Sequence, residues 1–164
     1  MKSRRAILRQ PAPAPPAWEG SLDARGLRIG IVCARWNPTV TEALLASALE
    51  ALRSHGAREE DVTVVRVPGA FELPAAARAL LRRRCDALVV LAAVVKGETS
   101  HNEVLAHAVA GALASLSAET GAPLGFGFLT CDTMDQARRR VGKGAEAAEA
   151  AVEVANLRRA LARK

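Results

Sequence analysis

A three-layer α/β fold, with a four-stranded parallel sheet flanked by helices, is what the sequence predicts. Two observations carry this. Short, continuously apolar runs alternate with longer stretches of helical periodicity from Arg28 to Leu161. Runs that are apolar throughout belong to strands buried on both faces, the condition of a parallel sheet between helical layers. Connections between such strands are right-handed crossovers, and ligands bind beyond the strands' carboxyl ends.

The elements follow in order. Arg28–Cys33 (Arg-Ile-Gly-Ile-Val-Cys) is the first strand, and Thr39–His55, with Val40, Leu44, Leu45, Ala48 and Leu52 at helical spacing, is the first helix. The valine-rich run Val62–Val67 is the second strand. Helix Glu72–Arg83 closes on the run Arg82-Arg83-Arg84, cations that complement the dipole at a helix C-terminus. Asp86–Val95 is the third strand and Ser100–Thr120 a long helix. Pro123–Thr130 is the fourth strand, followed by helices Met134–Val141 and Ala145–Leu161. Residues 1–20 contain Pro11, Pro13, Pro15 and Pro16 in a basic run whose prolines favour extended backbone, and are expected to form a disordered tail. Residues 21–164 are expected to form one domain, a length sufficient for a real core.

Composition excludes several classes. Hydrophobic residues make up 50% and aromatics 3% of the chain, with alanine prominent, which favours small side chains and closely packed helices. No stretch is long and apolar enough to span a membrane, and the N-terminal residues lack the apolar core of a signal peptide. The net charge of +6 is concentrated at the two ends, and no basic helix interleaved with aromatics points to nucleic acid. Cys33, Cys85 and Cys131 are widely spaced in apolar surroundings and read as reduced packing residues of a cytosolic protein. Neither G-x-G-x-x-G nor G-x-x-x-x-G-K-[ST] occurs. His101 and His107, six residues apart, point about 120° apart around a helix, so no metal site is expected.

The chemistry gathers in the loops after the strands. Gly97-Glu98-Thr99-Ser100-His101 runs from a strand into a helix. Unpartnered backbone N–H groups and the positive end of the helix dipole suit a small anion there, Thr99 and Ser100 offer hydroxyls and caps, and His101 is suited to proton transfer near neutral pH. The same residues also fit an ordinary capped helix with a solvent-facing histidine. In Arg35-Trp36-Asn37, Trp36 offers a flat face for a heterocycle or packs at an edge, and Asn37 supplies a donor–acceptor pair. In Pro68-Gly69-Ala70-Phe71-Glu72, Phe71 suits a pocket or the core, Glu72 a ligand or a helix cap, and Gly69 a turn of positive φ. Cys131-Asp132-Thr133 is the fourth loop expected at this edge.

With these residues the chain resembles the lumazine synthases of riboflavin biosynthesis. The likeness runs from about Trp18 to Leu157 through Arg35-Trp36-Asn37, Val67 to Pro74, Lys96 to His101, Leu129 to Thr133 with Gln136-Ala137, and Lys143 to Ala148. It implies a flavodoxin-like fold and condensation of 5-amino-6-ribitylaminouracil with 3,4-dihydroxy-2-butanone 4-phosphate, with no metal or redox cofactor. Trp36 resembles the aromatic that stacks on the pyrimidine, and Asn37 and Glu72 the ribityl contacts. Ala70 and Phe71 line the same pocket, and the backbone at Val94 and Val95 meets the uracil edge. Gly97, Glu98, Thr99 and Ser100 resemble the phosphate cradle, with His101 as the proton-transfer residue. Phe126, Arg140 and Lys143 resemble groups supplied by a neighbouring subunit, implying a homopentamer with shared sites that builds in some relatives into a sixty-subunit shell. The chain departs from the family at Asn102, where an aromatic is usual, at Cys131 in place of threonine, and in a shortened loop before Lys143. An archaeal-type riboflavin synthase, or a flavin- or lumazine-binding shell protein without turnover, are the alternatives. The segments Pro68–Pro74 and Gly97–His101 argue against the first. Intact His101, Arg140 and Glu72 argue against the second.

Overall fold

The computed structural model describes residues 15–163. Most of the expected tail, residues 1–14, and Lys164 lie outside that range. Four strands, β1 (Ile29–Ala34), β2 (Val62–Val67), β3 (Ala87–Val95) and β4 (Leu124–Cys131), form one parallel sheet in the order β2-β1-β3-β4. The helices are α1 (Pro38–Ser54), α2 (Leu73–Arg82), α3 (His101–Thr120), α4 (Met134–Arg138) and α5 (Lys143–Leu161), with short 3-10 turns at Glu59–Asp61 and Ala70–Glu72.

The alternation of side chains along β3 divides the core in two. Ala87, Val89, Leu91 and Ala93 pack with Leu44, Ala48 and Leu52 of α1 and Ala148, Ala151 and Val152 of α5. Leu88, Val90 and Ala92 pack on the opposite face with Leu73, Ala77 and Leu80 of α2 and Val109, Leu113 and Leu116 of α3. Apolar residues at every position of β3 are therefore required by two helical layers. Small residues set the spacing of the layers. A side chain at Gly125 of β4 would overlap the carbonyl of Ala147, and one at Gly144 would overlap that of Leu44, so α5 lies in backbone contact with both β4 and α1.

Coverage is uneven at the β4 edge. The buried residues of α3 are Asn102, Val109, Leu113 and Leu116, while Phe126 of β4, on the α3 side, remains 46% exposed. Because β2 and β3 lie on opposite sides of β1, the chain reverses direction there and opens a crevice at the carboxyl ends of β1 and β3.

Most boundaries fall within two residues of expectation. The exception is the helix expected over Met134–Val141, since α4 ends at Arg138. Arg140 N–H donates to Ala137 O, Lys143 N–H to Arg140 O and Gly144 N–H to Val141 O, a chain of three-residue turns that replaces the last helical turn. Helix α5 consequently starts at Lys143, ahead of the expected Ala145. Strand β4 runs one residue past Thr130, because Cys131 still pairs with Val95.

Candidate active site

A cavity of about 590 Å3 occupies the crevice. Its back wall is Ala34 of β1 and Ala92 to Val95 of β3. Its rim comes from Trp36 and Asn37 after β1, the segment from Pro68 to Glu72 after β2, and Gly97, Thr99 and His101 after β3. Three of the four expected loops thus meet. The fourth does not: Cys131 and Asp132 line a separate cavity of about 400 Å3 with Phe126, Phe128 and Gln136, on the far side of the first turns of α3.

The aromatics stand free of the core. Trp36 is 72% exposed and Phe71 70% exposed, which rules out a packing role for either within the subunit. Both present flat apolar faces at the mouth of the cavity. Asn37 takes the left-handed conformation (φ 57°, ψ 58°) at the start of α1, a region asparagine tolerates better than most residues. Its Nδ2 donates to Ala93 O at 2.8 Å, tying the β1 loop to β3 and leaving Oδ1 for a ligand. Gly69 is extended (φ −142°, ψ −173°), so the expected positive φ is absent there. Its N–H donates to Glu72 Oε2 at 2.8 Å, and a Cβ at Gly69 would sit 3.3 Å from that oxygen. Glu72 is therefore a cap in the free chain, and it still lines the cavity.

The segment Gly97–Ser100 leads into α3, and His101 is the first helical residue. Ser100 makes no side-chain cap. Thr99 Oγ1 instead accepts from His101 N–H at a long 3.4 Å, so the hydroxyls are only weakly engaged by the protein. Gly97, Thr99 and His101 line the cavity, whereas Glu98 and Ser100 lie in the same turn outside the lining. Val94 and Val95 are half-buried at the end of β3 and bring backbone to the cavity wall. Ala70 is buried beneath the rim.

Phe126, Arg140 and Lys143 do not reach this cavity in their own chain. Phe126 stacks on Phe128 at 5.5 Å beside the second cavity. Arg140 Nη1 donates to Gln136 O at 3.0 Å, and Lys143 pairs with Glu146. Among the described residues no Lys or Arg lines the main cavity, so a bound phosphate would meet helix N–H groups and hydroxyls but no cation from the same chain. Arg138, the first of three consecutive arginines, is paired with Asp135 at 3.1 Å, which leaves Arg139 and Arg140 as the cations of that turn without a carboxylate partner among the described residues.

Leu105 is a cavity residue that the sequence does not single out, whereas Asn102 stands out there only as a departure from the family pattern. Leu105 lies four residues after His101, on the same side of the helix, and that spacing was the available signal. Asn102 lines both cavities with its side chain buried. The thiols lie apart from the cavity chemistry: Cys33, Cys85 and Cys131 are unpaired, and burial pushes the Cys33 thiol up to about 11. Among the described residues, no helix is long and apolar enough to cross a membrane.

Comparison with known proteins finds one family. The family model described as 6,7-dimethyl-8-ribityllumazine synthase matches residues 26–159. The chain is 48% identical over 152 residues to the 6,7-dimethyl-8-ribityllumazine synthase of Anaeromyxobacter sp. (strain Fw109-5), covering 89% of this chain and 93% of that protein. It is 49% identical to the enzyme of that name from Anaeromyxobacter dehalogenans (strain 2CP-C), with 89% and 94% covered. To that of Aquifex aeolicus (strain VF5) it is 43% identical over 150 residues, with 88% and 97% covered.

Proposed function

The chain belongs to the 6,7-dimethyl-8-ribityllumazine synthase family, and we propose that its cavity carries out the family's condensation. 5-Amino-6-ribitylaminouracil stacks between Trp36 and the β3 wall, with its uracil edge on the backbone of Val94 and Val95. Asn37 Oδ1 and the Glu72 carboxylate take the ribityl hydroxyls. The phosphate of 3,4-dihydroxy-2-butanone 4-phosphate rests on the N–H groups and hydroxyls of Gly97 to Ser100. The free amine attacks the ketone carbonyl, water leaves to give an imine, phosphate is eliminated, and the ribityl-bearing nitrogen closes the ring with loss of water. His101 moves protons at each step, being exposed at the cavity rim beside the anion cradle.

The observation that carries this reading is the convergence of an exposed Trp36, an exposed Phe71 and His101 at the start of a 20-residue helix on one 590 Å3 cavity. Such a volume suits one small heterocycle and its polyol. Turnover with both substrates, followed by lumazine formation and phosphate release beside an assay with lumazine alone, tests it. Phosphate released in step with lumazine is expected. Riboflavin from lumazine alone, or tight binding with no turnover, would overturn it in favour of a riboflavin synthase or a binding protein.

The site is completed by a second subunit in this account, and the assembly is a homopentamer. Two features support it: among the described residues the cavity has no cation of its own, and Val104 and Phe126 are exposed apolar side chains that a head-to-tail contact would cover. Phe126 and Lys143 then meet the substrate, and Arg140 the phosphate, across the interface. The N-terminal segment is fastened to its own subunit, since Asn156 Nδ2 donates to Ser21 O and Asp23 O at 2.8 Å and Gly20 lies against the backbone of Glu153 in α5. With prolines at 15 and 16 little of it is left to extend a neighbour's sheet, so the ring rather than a closed shell is the stable unit. Light scattering is expected to give a mass of about five subunits. A single-subunit mass would sink the shared site. Residues 21–164 act as the folded unit, in the cytosol, where the three thiols stay reduced.

A further inference from the structure

The buried face of α3 consists of Asn102, Val109, Leu113 and Leu116. At 100° per residue these four fall within about 60° of one another, so Asn102 continues an apolar stripe that is pressed against the sheet. Its residue is only 9% exposed, and its Oδ1 is fully buried with no hydrogen-bond partner among the described residues. Leaving such an acceptor unpaired is costly, and native proteins seldom do so without a use for it. The side chain lies in the wall shared by the substrate cavity and the second cavity beside β4. The lining of the substrate cavity also includes the apolar Ala92 and Val94 of β3 and Leu105 of α3, and no described residue bonds Asn102 Oδ1.

We infer that Asn102 is a specificity-determining residue whose carboxamide turns toward the cavity it lines when substrate binds, so that Oδ1, closed off in the free chain, accepts a hydrogen bond from an N–H or O–H donor of the aminopyrimidine polyol bound against the end of β3. This rests on the function proposed above. The donor belongs to that substrate and not to the phosphorylated ketone because Asn102 faces the sheet, whereas the phosphate cradle at Gly97–Ser100 precedes the exposed His101 on the open side of the helix start. A neutral acceptor there also leaves the electrostatics of the cradle unchanged.

The test compares wild type, Asn102→Leu and Asn102→Asp in the intact oligomer, by titration calorimetry with 5-amino-6-ribitylaminouracil and with inorganic phosphate, alongside turnover and thermal melting. Asn102→Leu removes the unpaired acceptor at similar volume. It is expected to melt at or above wild type, to keep the particle mass and phosphate affinity, and to bind the ribityl compound about tenfold more weakly, the value of one hydrogen bond. Asn102→Asp retains an acceptor at the favourable end of the helix dipole and is expected to hold ribityl affinity within about threefold. Unchanged ribityl affinity in Asn102→Leu would overturn the inference, as would a loss of oligomer in that variant, which would assign the donor to a neighbouring subunit. Wild type that binds the ribityl compound but yields no lumazine would refute the proposed enzyme while the titrations still decide the role of Asn102.

Discussion

Replacing Trp36 by alanine separates binding from folding. In the subunit the side chain is 72% exposed, so truncation removes little buried area and the stability of the folded chain is expected to change by no more than about 0.5 kcal/mol. Bound substrate is different. Alanine substitution of an aromatic stacked on a base costs about 1–3 kcal/mol, a roughly 5- to 150-fold loss of affinity. The loss falls on the ribityl compound, because the phosphate cradle at Gly97–Ser100 belongs to another loop, the one leading into α3. Parallel titrations of Trp36→Ala with the ribityl compound and with phosphate measure it, with thermal melting as the control. Equal loss for both ligands, or unaltered ribityl affinity, would refute the stacking role. A large drop in melting temperature would show that Trp36 is a structural residue after all.

Three further outcomes follow from named contacts. His101→Ala should lower kcat by about 10^2- to 10^4-fold with the particle mass unchanged, as for a lost acid–base group; steady-state turnover and light scattering check both halves. Arg140→Ala should weaken phosphate by about 1.5–3 kcal/mol with little effect on the ribityl compound, and the same pattern from Arg139→Ala instead would shift the register by one residue. Cys33 ionises at about 11 in the fold against an ordinary 9.0, so its neutral form favours folding below pH 9 and that margin is lost as pH rises from 9 to 11. Denaturant titrations across this window should show the decline in wild type and a shallower one in Cys33→Ala.

The parallel sheet was legible because apolar runs and helical periodicity are local properties. Val62–Val67 is a strand over its whole predicted span, and β3 shows why an unbroken apolar run had to be central. The turn from Arg139 to Gly142 was not legible, since α-helical and three-residue hydrogen bonding suit the same residues and only packing decides between them. The loop after β4 stands at the expected edge, where Lys96 N–H donates to Cys131 O, but it opens on the second cavity, beside α3, and not on the crevice. Trp36 and Phe71 each suited a core or a pocket until their exposure settled it. Asn102 was legible as a departure from the family and illegible as a buried group, because a polar residue in a first helical turn ordinarily faces water.

Mixing the two disabled variants tests the central claim, a condensing site built from two subunits. Dissociated and reassembled at equal amounts, His101→Ala and Arg140→Ala subunits form rings in which about one quarter of the interfaces join an intact His101 to an intact Arg140. Lumazine formation is expected to rise toward about a quarter of the wild-type rate, far above either variant alone. Activity that stays at the average of the two separate variants after verified subunit exchange would contradict the account, placing both residues in one chain's site or removing one of them from it.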